Sequence, residues 1–117
     1  MIGENIQGIA IFGAICLFLL WRFLKFKKVK KMIPLLLKEG AILVDVRSAQ
    51  EYSAGHHPSS INVPLSDLST MSKRWDHGRP VILCCASGTR SGMAMGVLKK
   101  NGFRSVVNAG PWTNTLT

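Results

Sequence analysis

The chain has 117 residues, which is enough for one domain and too few for two. It carries 15 basic and 6 acidic side chains, but six of the basic residues and only one acidic residue lie among residues 1–31. Because the positive excess is concentrated there, and no zinc-ligand spacing or RNA-binding motif occurs, composition argues against a nucleic-acid-binding protein. The three cysteines, Cys16, Cys84 and Cys85, do not form a disulfide framework, which favours reduced thiols in a reducing compartment.

An apolar segment near the N-terminus predicts a transmembrane helix. Residues 6–24 contain a single charged side chain, Arg22, and a bilayer core takes roughly 20 apolar residues, so the segment can span if Arg22 extends to the interface. A cleaved signal peptide would instead need positive charge before the apolar run and a small-residue cleavage site after it. The only charged side chain before the run is Glu4, and no small-residue cleavage site follows it, which favours a retained anchor.

Basic residues follow this segment and predict its orientation. They are Lys25, Lys27, Lys28, Lys30 and Lys31. Because positive residues prefer the cytoplasmic side, we expect a single-pass protein with its N-terminus outside and its domain in the cytoplasm. The predicted division is an anchor and basic segment over residues 1–31 and a domain over residues 32–117.

The remaining segments alternate between helix and strand patterns. In order, the sequence predicts a short helix over 32–38 with Pro34 in its first turn, a strand within 41–47, a helix over 48–54, a strand over 60–63, a helix over 65–75, a strand over 80–84, a helix over 91–100 and a strand over 105–107. Ser48 and Glu51 are spaced as a capping box for the second of these helices. The alternation predicts a three-layer α/β domain with a mainly parallel sheet.

The segment that tells most about chemistry begins at Cys84 and Cys85, where an apolar strand gives way to a small, polar loop. This loop leads into a predicted helix, so unpaired backbone N–H groups and the positive end of the helix dipole meet there. Such an environment lowers the pKa of a cysteine and stabilises bound anions, and Arg90 adds a fixed charge. We therefore predict a cysteine nucleophile in an anion-binding loop.

Three separated motifs occur in order. They are Asp45-Val46-Arg47 followed by Glu51-Tyr52, then Gly55-His56 followed by Ile61-Asn62-Val63-Pro64, and then Cys85-Ala86-Ser87-Gly88-Thr89-Arg90-Ser91 followed by Gly102-Phe103 and Val106. In these motifs, residues 36–107 resemble the rhodanese-like, single-domain sulfurtransferase family. Together they cover about three fifths of the chain.

The resemblance implies a sulfurtransferase of the thiosulfate sulfurtransferase type. Cys85 would take sulfane sulfur from thiosulfate or a persulfide donor, carry it as a persulfide and pass it to a thiol, which could belong to a protein, or to cyanide. The backbone amides of Ala86, Ser87, Gly88, Thr89, Arg90 and Ser91, with the charge of Arg90, would hold the anionic groups. The intermediate is covalent, and we expect neither a cofactor nor a metal site.

Cys84 offers a competing register for the nucleophile. Cys84-x5-Arg90 matches the loop of tyrosine-type phosphatases and would suit a phosphatase or an arsenate reductase. Two features favour Cys85: Gly88 follows it by three residues as in the rhodanese loop, and Leu83 stands where tyrosine phosphatases usually carry histidine. A non-catalytic binding module is a third alternative, although such domains typically lack the active cysteine.

Other residues receive supporting roles. We expect Asp45 to brace the loop by accepting hydrogen bonds and Arg47 to pair with Glu51. Among the remaining candidates, His56 is expected to pack and hydrogen-bond structurally, Met93 and Met95 to pack a helix against the sheet, and Trp112 either to cover the sheet edge or to lie in a loose tail.

Overall fold

A computed structural model of the chain describes the backbone of residues 2–116 and the side chains of residues 5–116; the predicted domain limits at Met1 and Thr117 lie outside this range. The helices are α1 (Ile2–Lys38), α2 (Ala49–Ala54), α3 (Leu65–Met71) and α4 (Thr89–Lys100), and the strands are β1 (Ile42–Asp45), β2 (Ile61–Asn62), β3 (Val81–Cys85) and β4 (Val106–Pro111). Short 3₁₀ turns over Ser72–Arg74 and Trp112–Thr115 follow α3 and β4.

The four strands form one parallel sheet in the order β2-β1-β3-β4. Asp45 pairs with Cys84 at the end of β1 and β3, and a register shift separates Leu83 from Cys84 where β3 pairs with β4. Because all strands run the same way, their carboxyl ends gather at one edge, where ligand sites of α/β sheets lie. The predicted α/β class with a parallel sheet is confirmed.

Two apolar cores lie on the two faces of this sheet. One joins α3 and α4 to the sheet and contains Leu83, Leu98 and Phe103; the other joins the end of α1 to the sheet and contains Ile33 and Ile82. Side chains of a strand alternate between faces, so successive residues of β3 enter different cores. This gives the three predicted layers.

Helix α1 differs from its prediction. The expected short helix over 32–38 is not separate, because one helix of 37 residues runs from Ile2 to Lys38 with Pro34 inside it. Proline removes one backbone donor and crowds the preceding turn. The packing of Ile33, which is fully buried in the core beside it, outweighs this local preference.

Several other helices and strands begin or end at residues different from those predicted. Helix α4 begins at Thr89 rather than Ser91, and β4 continues to Pro111 rather than ending at Val107. The helix predicted over 65–75 ends at Met71 and tightens into a 3₁₀ turn. The capping box of α2 is confirmed, since the side chains of Ser48 and Glu51 each accept a hydrogen bond from the other's backbone N–H.

The two methionines of α4 differ in their surroundings. Met95 packs against the core as predicted, whereas the prediction for Met93 is wrong because its side chain is exposed. The buried face of α4 is set by Ser91, Ala94 and Leu98, at the spacing of one helix turn, and Met93 falls outside that face.

Candidate functional site

A tight loop joins β3 to α4 at the carboxyl edge of the sheet. Strand β3 ends at Cys85, and Gly88 has φ of 102° immediately before the first residue of α4. This left-handed conformation is open to glycine and strained for other residues. The glycine thus lets the chain turn back over Cys85 within three residues.

Cys85 Sγ lies inside this turn and accepts a hydrogen bond there. The Gly88 N–H donates at 2.9 Å, and Ser91 Oγ lies 3.3 Å from the sulfur. Burial raises the pKa of the Cys85 thiol, but the Ser91 hydroxyl and the backbone N–H groups of Ser91, Gly88 and Ser87 together outweigh it, so that the pKa falls below its ordinary value. A thiolate with a lowered pKa is the nucleophilic form of cysteine.

Asn108, on β4, holds the far side of the loop and was missed by sequence reasoning. Its amide donates to the Gly88 carbonyl at 3.0 Å, and its Oδ1 accepts from the Gly110 N–H at 2.9 Å. The Ser91 hydroxyl lies 2.6 Å from the same Oδ1. Only the position of a polar residue directly after the strand predicted over 105–107 could have indicated this role.

Cys84 lies on the opposite face of β3 from Cys85. It is buried in the core that includes α1, whereas Cys85 belongs to the other core. Burial, reinforced by the nearby Asp45 carboxylate, raises the pKa of Cys84 well above its ordinary value. A thiol kept neutral in this way is a poor nucleophile, which disfavours the phosphatase register.

Arg90 does not stand free beside the loop. Its guanidinium donates to both carboxylate oxygens of Glu51, at 2.7 and 2.9 Å, and so joins α4 to α2. The hydrogen bond from Arg90, followed by those from Ser48, lowers the pKa of Glu51 to about 2. The role of Arg90 as the cation of an anion site stays a prediction, and the predicted ion pair between Arg47 and Glu51 is wrong.

Arg47 pairs instead with Asp45, and this pair is buried. The guanidinium Nε and Nη2 bind the Asp45 carboxylate at 2.7–3.0 Å, while Nη2 also donates to the Gly55 carbonyl at 2.6 Å. The indole of Trp112 lies 4.9 Å from the guanidinium carbon and covers it. Within residues 5–116 the Asp45 carboxylate binds only Arg47, so the prediction that it braces the cysteine loop directly is wrong.

The other predicted supporting residues are structural. His56 Nδ1 lies 2.7 Å from the Tyr52 carbonyl and its ring stacks on the Tyr52 ring at 3.7 Å, as predicted. Trp112 packs against the core instead of lying in a loose tail. In the part of the chain that the structure describes, no three His, Cys, Asp or Glu side chains are gathered as potential metal ligands.

Helix α1 also reaches the cysteine loop, which no sequence signal indicated. Arg22 Nη2 donates to the Ser87 carbonyl at 3.0 Å across 65 residues of sequence. The Phe26 ring packs on Gly88 and Gly110, so closely that a methyl group added at Gly88 would lie 2.8 Å from Phe26 Cζ. A groove of about 390 Å³ between α1 and α4 begins beside this contact and includes Trp21, Lys25 and Met93 among its lining residues.

Comparison with known proteins gives one consistent result. Residues 26–110 match the family model of the rhodanese-like domain. The chain is 38% identical over 68 residues to the uncharacterized protein YqhL of Bacillus subtilis, covering 58% of this chain and 54% of that one. It is 32% identical over 69 residues to the thiosulfate sulfurtransferase GlpE of Pseudomonas savastanoi, covering 59% and 65%.

A solved structure is also similar to this chain in its fold. A rhodanese with anions from E. coli superimposes with a TM-score of 0.59 at 29% identity, covering 63% of this chain and 89% of that one. The chain spans between 43% and 65% of the length of the curated relatives first matched.

Proposed function

The chain belongs to the rhodanese-like domain family, and we propose that it is a sulfurtransferase that carries sulfane sulfur on Cys85. The observation that supports this most directly is the hydrogen bond that the Gly88 N–H donates to Cys85 Sγ at 2.9 Å. This donor stabilises negative charge on the sulfur. The relation to GlpE, a thiosulfate sulfurtransferase, supports the same class of reaction.

The proposed reaction has two steps. The Cys85 thiolate attacks the outer sulfur of thiosulfate; a sulfur–sulfur bond forms, the sulfur–sulfur bond of the donor breaks, and sulfite leaves with the electron pair. An acceptor thiolate then attacks the outer sulfur of the Cys85 persulfide, which gives an acceptor persulfide and restores the Cys85 thiolate. Cyanide as acceptor would give thiocyanate. Each step exchanges one bond to sulfur for another and needs no external oxidant or reductant.

The loop suits both states of Cys85. Thiolate and persulfide are both anions, and the N–H groups of Ser87, Gly88 and Ser91 favour negative charge at the sulfur. The side chains of Ala86, Ser87 and Thr89 are small and uncharged, so they add little selectivity, and the preference for an anion rests on the backbone N–H groups. A sulfur-containing anion or a persulfide is therefore the proposed donor, and a thiol, including a protein thiol, the proposed acceptor.

We further propose that residues 6–24 anchor the domain in a membrane with the domain on the cytoplasmic side. By length and composition α1 could cross a bilayer, and its most apolar 18-residue window is not buried by the rest of the molecule. The five lysines from Lys25 to Lys31 support the orientation. Attachment would concentrate the site near sulfur donors or acceptors held at the same membrane.

Mass spectrometry after treatment with thiosulfate tests the proposed chemistry. We expect the protein to gain the mass of one sulfur atom, which Cys85→Ser abolishes and Cys84→Ser preserves. The adjacent cysteine is a matched control because it shares the sequence context but lies on the other face of β3. Sulfur retained by the Cys85→Ser protein, or hydrolysis of an aryl phosphate that is lost in Cys84→Ser, would contradict the proposal.

A further inference from the structure

Two side chains of α1, one helix turn apart, lie directly on the cysteine loop. The Arg22 guanidinium carbon is 5.2 Å from the centre of the Phe26 ring, so the ring supports the guanidinium. Both side chains approach Gly88 so closely that a methyl group there would lie 3.0 Å from Arg22 Nη2 and 2.8 Å from Phe26 Cζ. Since both are half-buried, this contact holds the arginine in one place against the loop.

One peptide group connects Arg22 to the sulfur of Cys85. At one end of this group the Ser87 carbonyl accepts a hydrogen bond from Arg22 Nη2 at 3.0 Å. At the other end the Gly88 N–H donates to Cys85 Sγ at 2.9 Å. Hydrogen bonds in a chain polarise one another, and a cationic donor on the carbonyl makes the N–H of the same peptide group a stronger donor.

We infer that Arg22 is a positioning residue of this site, which strengthens, through the Ser87–Gly88 peptide group, the hydrogen bond that holds negative charge on Cys85. The inference deepens the proposed function and rests on it only in taking Cys85 as the nucleophile. The same peptide group would serve the thiolate and the persulfide, because both place negative charge within reach of the Gly88 N–H.

Arg22 differs from the other arginines near the loop because it donates to a carbonyl of the loop and not to a carboxylate. Charged or titratable groups near the loop are Arg22 and Lys25 on α1, Asp45 at the end of β1, Arg47 shortly after it, Glu51 on α2, Cys84 on β3 and Arg90 on α4. Two of the arginines are already bound to carboxylates, in the pairs Arg47–Asp45 and Arg90–Glu51. Arg22 instead directs its charge at a carbonyl of the loop.

The test is the pH profile of Cys85 alkylation by iodoacetamide, a neutral reagent, in the full-length protein in detergent. Fragment mass spectrometry of the labelled peptide assigns the label to Cys85 rather than Cys84. In Arg22→Gln we expect the midpoint of the profile to move to higher pH. On its acid side the rate should fall about threefold, and the plateau at high pH should stay unchanged.

Two further variants distinguish a local effect of the Arg22 cation on the Ser87 carbonyl from a general effect of charge on α1. Arg22→Lys keeps a cation that can bind the Ser87 carbonyl and should lose less than half of the rate. Lys28→Gln removes one charge from an exposed position of the same helix and should leave the profile unchanged. A rate that falls equally at every pH in Arg22→Gln, no recovery in Arg22→Lys, or the same shift in Lys28→Gln would overturn the inference.

The experiment also separates this inference from the proposed function, because alkylation needs no sulfur donor. A shifted profile in a protein that takes up no sulfur would contradict the sulfurtransferase and support the positioning role. An unshifted profile in a protein that does take up sulfur would contradict the positioning role alone.

Discussion

At the scale of single residues, two adjacent cysteines have opposite environments because a strand alternates its faces. Cys85 enters the loop side with a lowered pKa, and Cys84 enters the core beside α1 with a raised one. The sequence favoured Cys85 over Cys84 because Gly88 follows Cys85 by three residues, as in the rhodanese loop. The partner of Arg90 could not be predicted in the same way, because Glu51 is 39 residues distant and its spacing also fits a capping box.

Gly88 provides a prediction at this scale. Alanine there would adopt φ near 102° and place its methyl group against Phe26 and Arg22, so we expect Gly88→Ala to lower the free energy of unfolding by about 2 kcal/mol or more. Gly96→Ala is the matched control, since it lies within α4 with no atom within 4 Å of the added methyl group. Alanine in a helix interior should raise stability by about 0.5–1 kcal/mol.

Denaturant unfolding of both proteins measures the difference. Equal stability of Gly88→Ala and the original protein would show that the loop does not require this conformation, and would contradict the contact between α1 and the loop.

At the scale of elements, apolar runs and cap residues predicted the core strands β1 and β3 and helix α2 to within a few residues. Helix α1 was predicted as two pieces because Pro34 is typical of a first turn. The continuous helix depends on contacts between its last turns and the sheet, and no local pattern reports such contacts. Its last turns are thus part of the domain core, with Ile33 fully buried and Val29 partly so.

A pair of neighbouring substitutions tests this role of α1. Ile33→Ala removes a fully buried side chain and should lower the free energy of unfolding by about 2–4 kcal/mol. Met32→Ala changes the adjacent residue, which is 40% exposed, and should alter stability by about 0.5 kcal/mol or less. Thermal unfolding of the full-length proteins in detergent compares them, and similar values for both would mean that the end of α1 does not pack on the sheet.

At the scale of the whole molecule, alternation of strands and helices was sufficient to predict the parallel sheet and its three layers. The placement of α1 across the cysteine loop was not predictable, since it arises from a contact between residues 65 apart, Arg22 and Ser87. The sequence therefore predicted the fold and the position of the cysteine loop but not the helix that lies beside it.

The proposed membrane attachment is tested at the same scale. After expression in bacteria, we expect the protein to remain with membranes through an alkaline carbonate wash, because residues 6–24 would span the bilayer with Arg22 extending to the interface. Protease added to inside-out vesicles should remove the domain, and protease added to right-side-out vesicles should leave it intact. Release by the wash would contradict the anchor, and digestion in right-side-out vesicles would contradict its orientation.

Because α1 is continuous, it would fix the distance between the Cys85 loop and the membrane surface in the proposed anchored protein. A helix of 37 residues is a rod of about 55 Å, and no hinge separates its apolar half from the half packed on the sheet. A domain on a flexible linker can occupy many distances from the membrane surface. A domain fixed to a continuous helix stays at one distance from that surface. If α1 spans a bilayer as proposed, the Cys85 loop would lie at the level of the lipid headgroups, and the proposed sulfur donors and acceptors would have to reach it there.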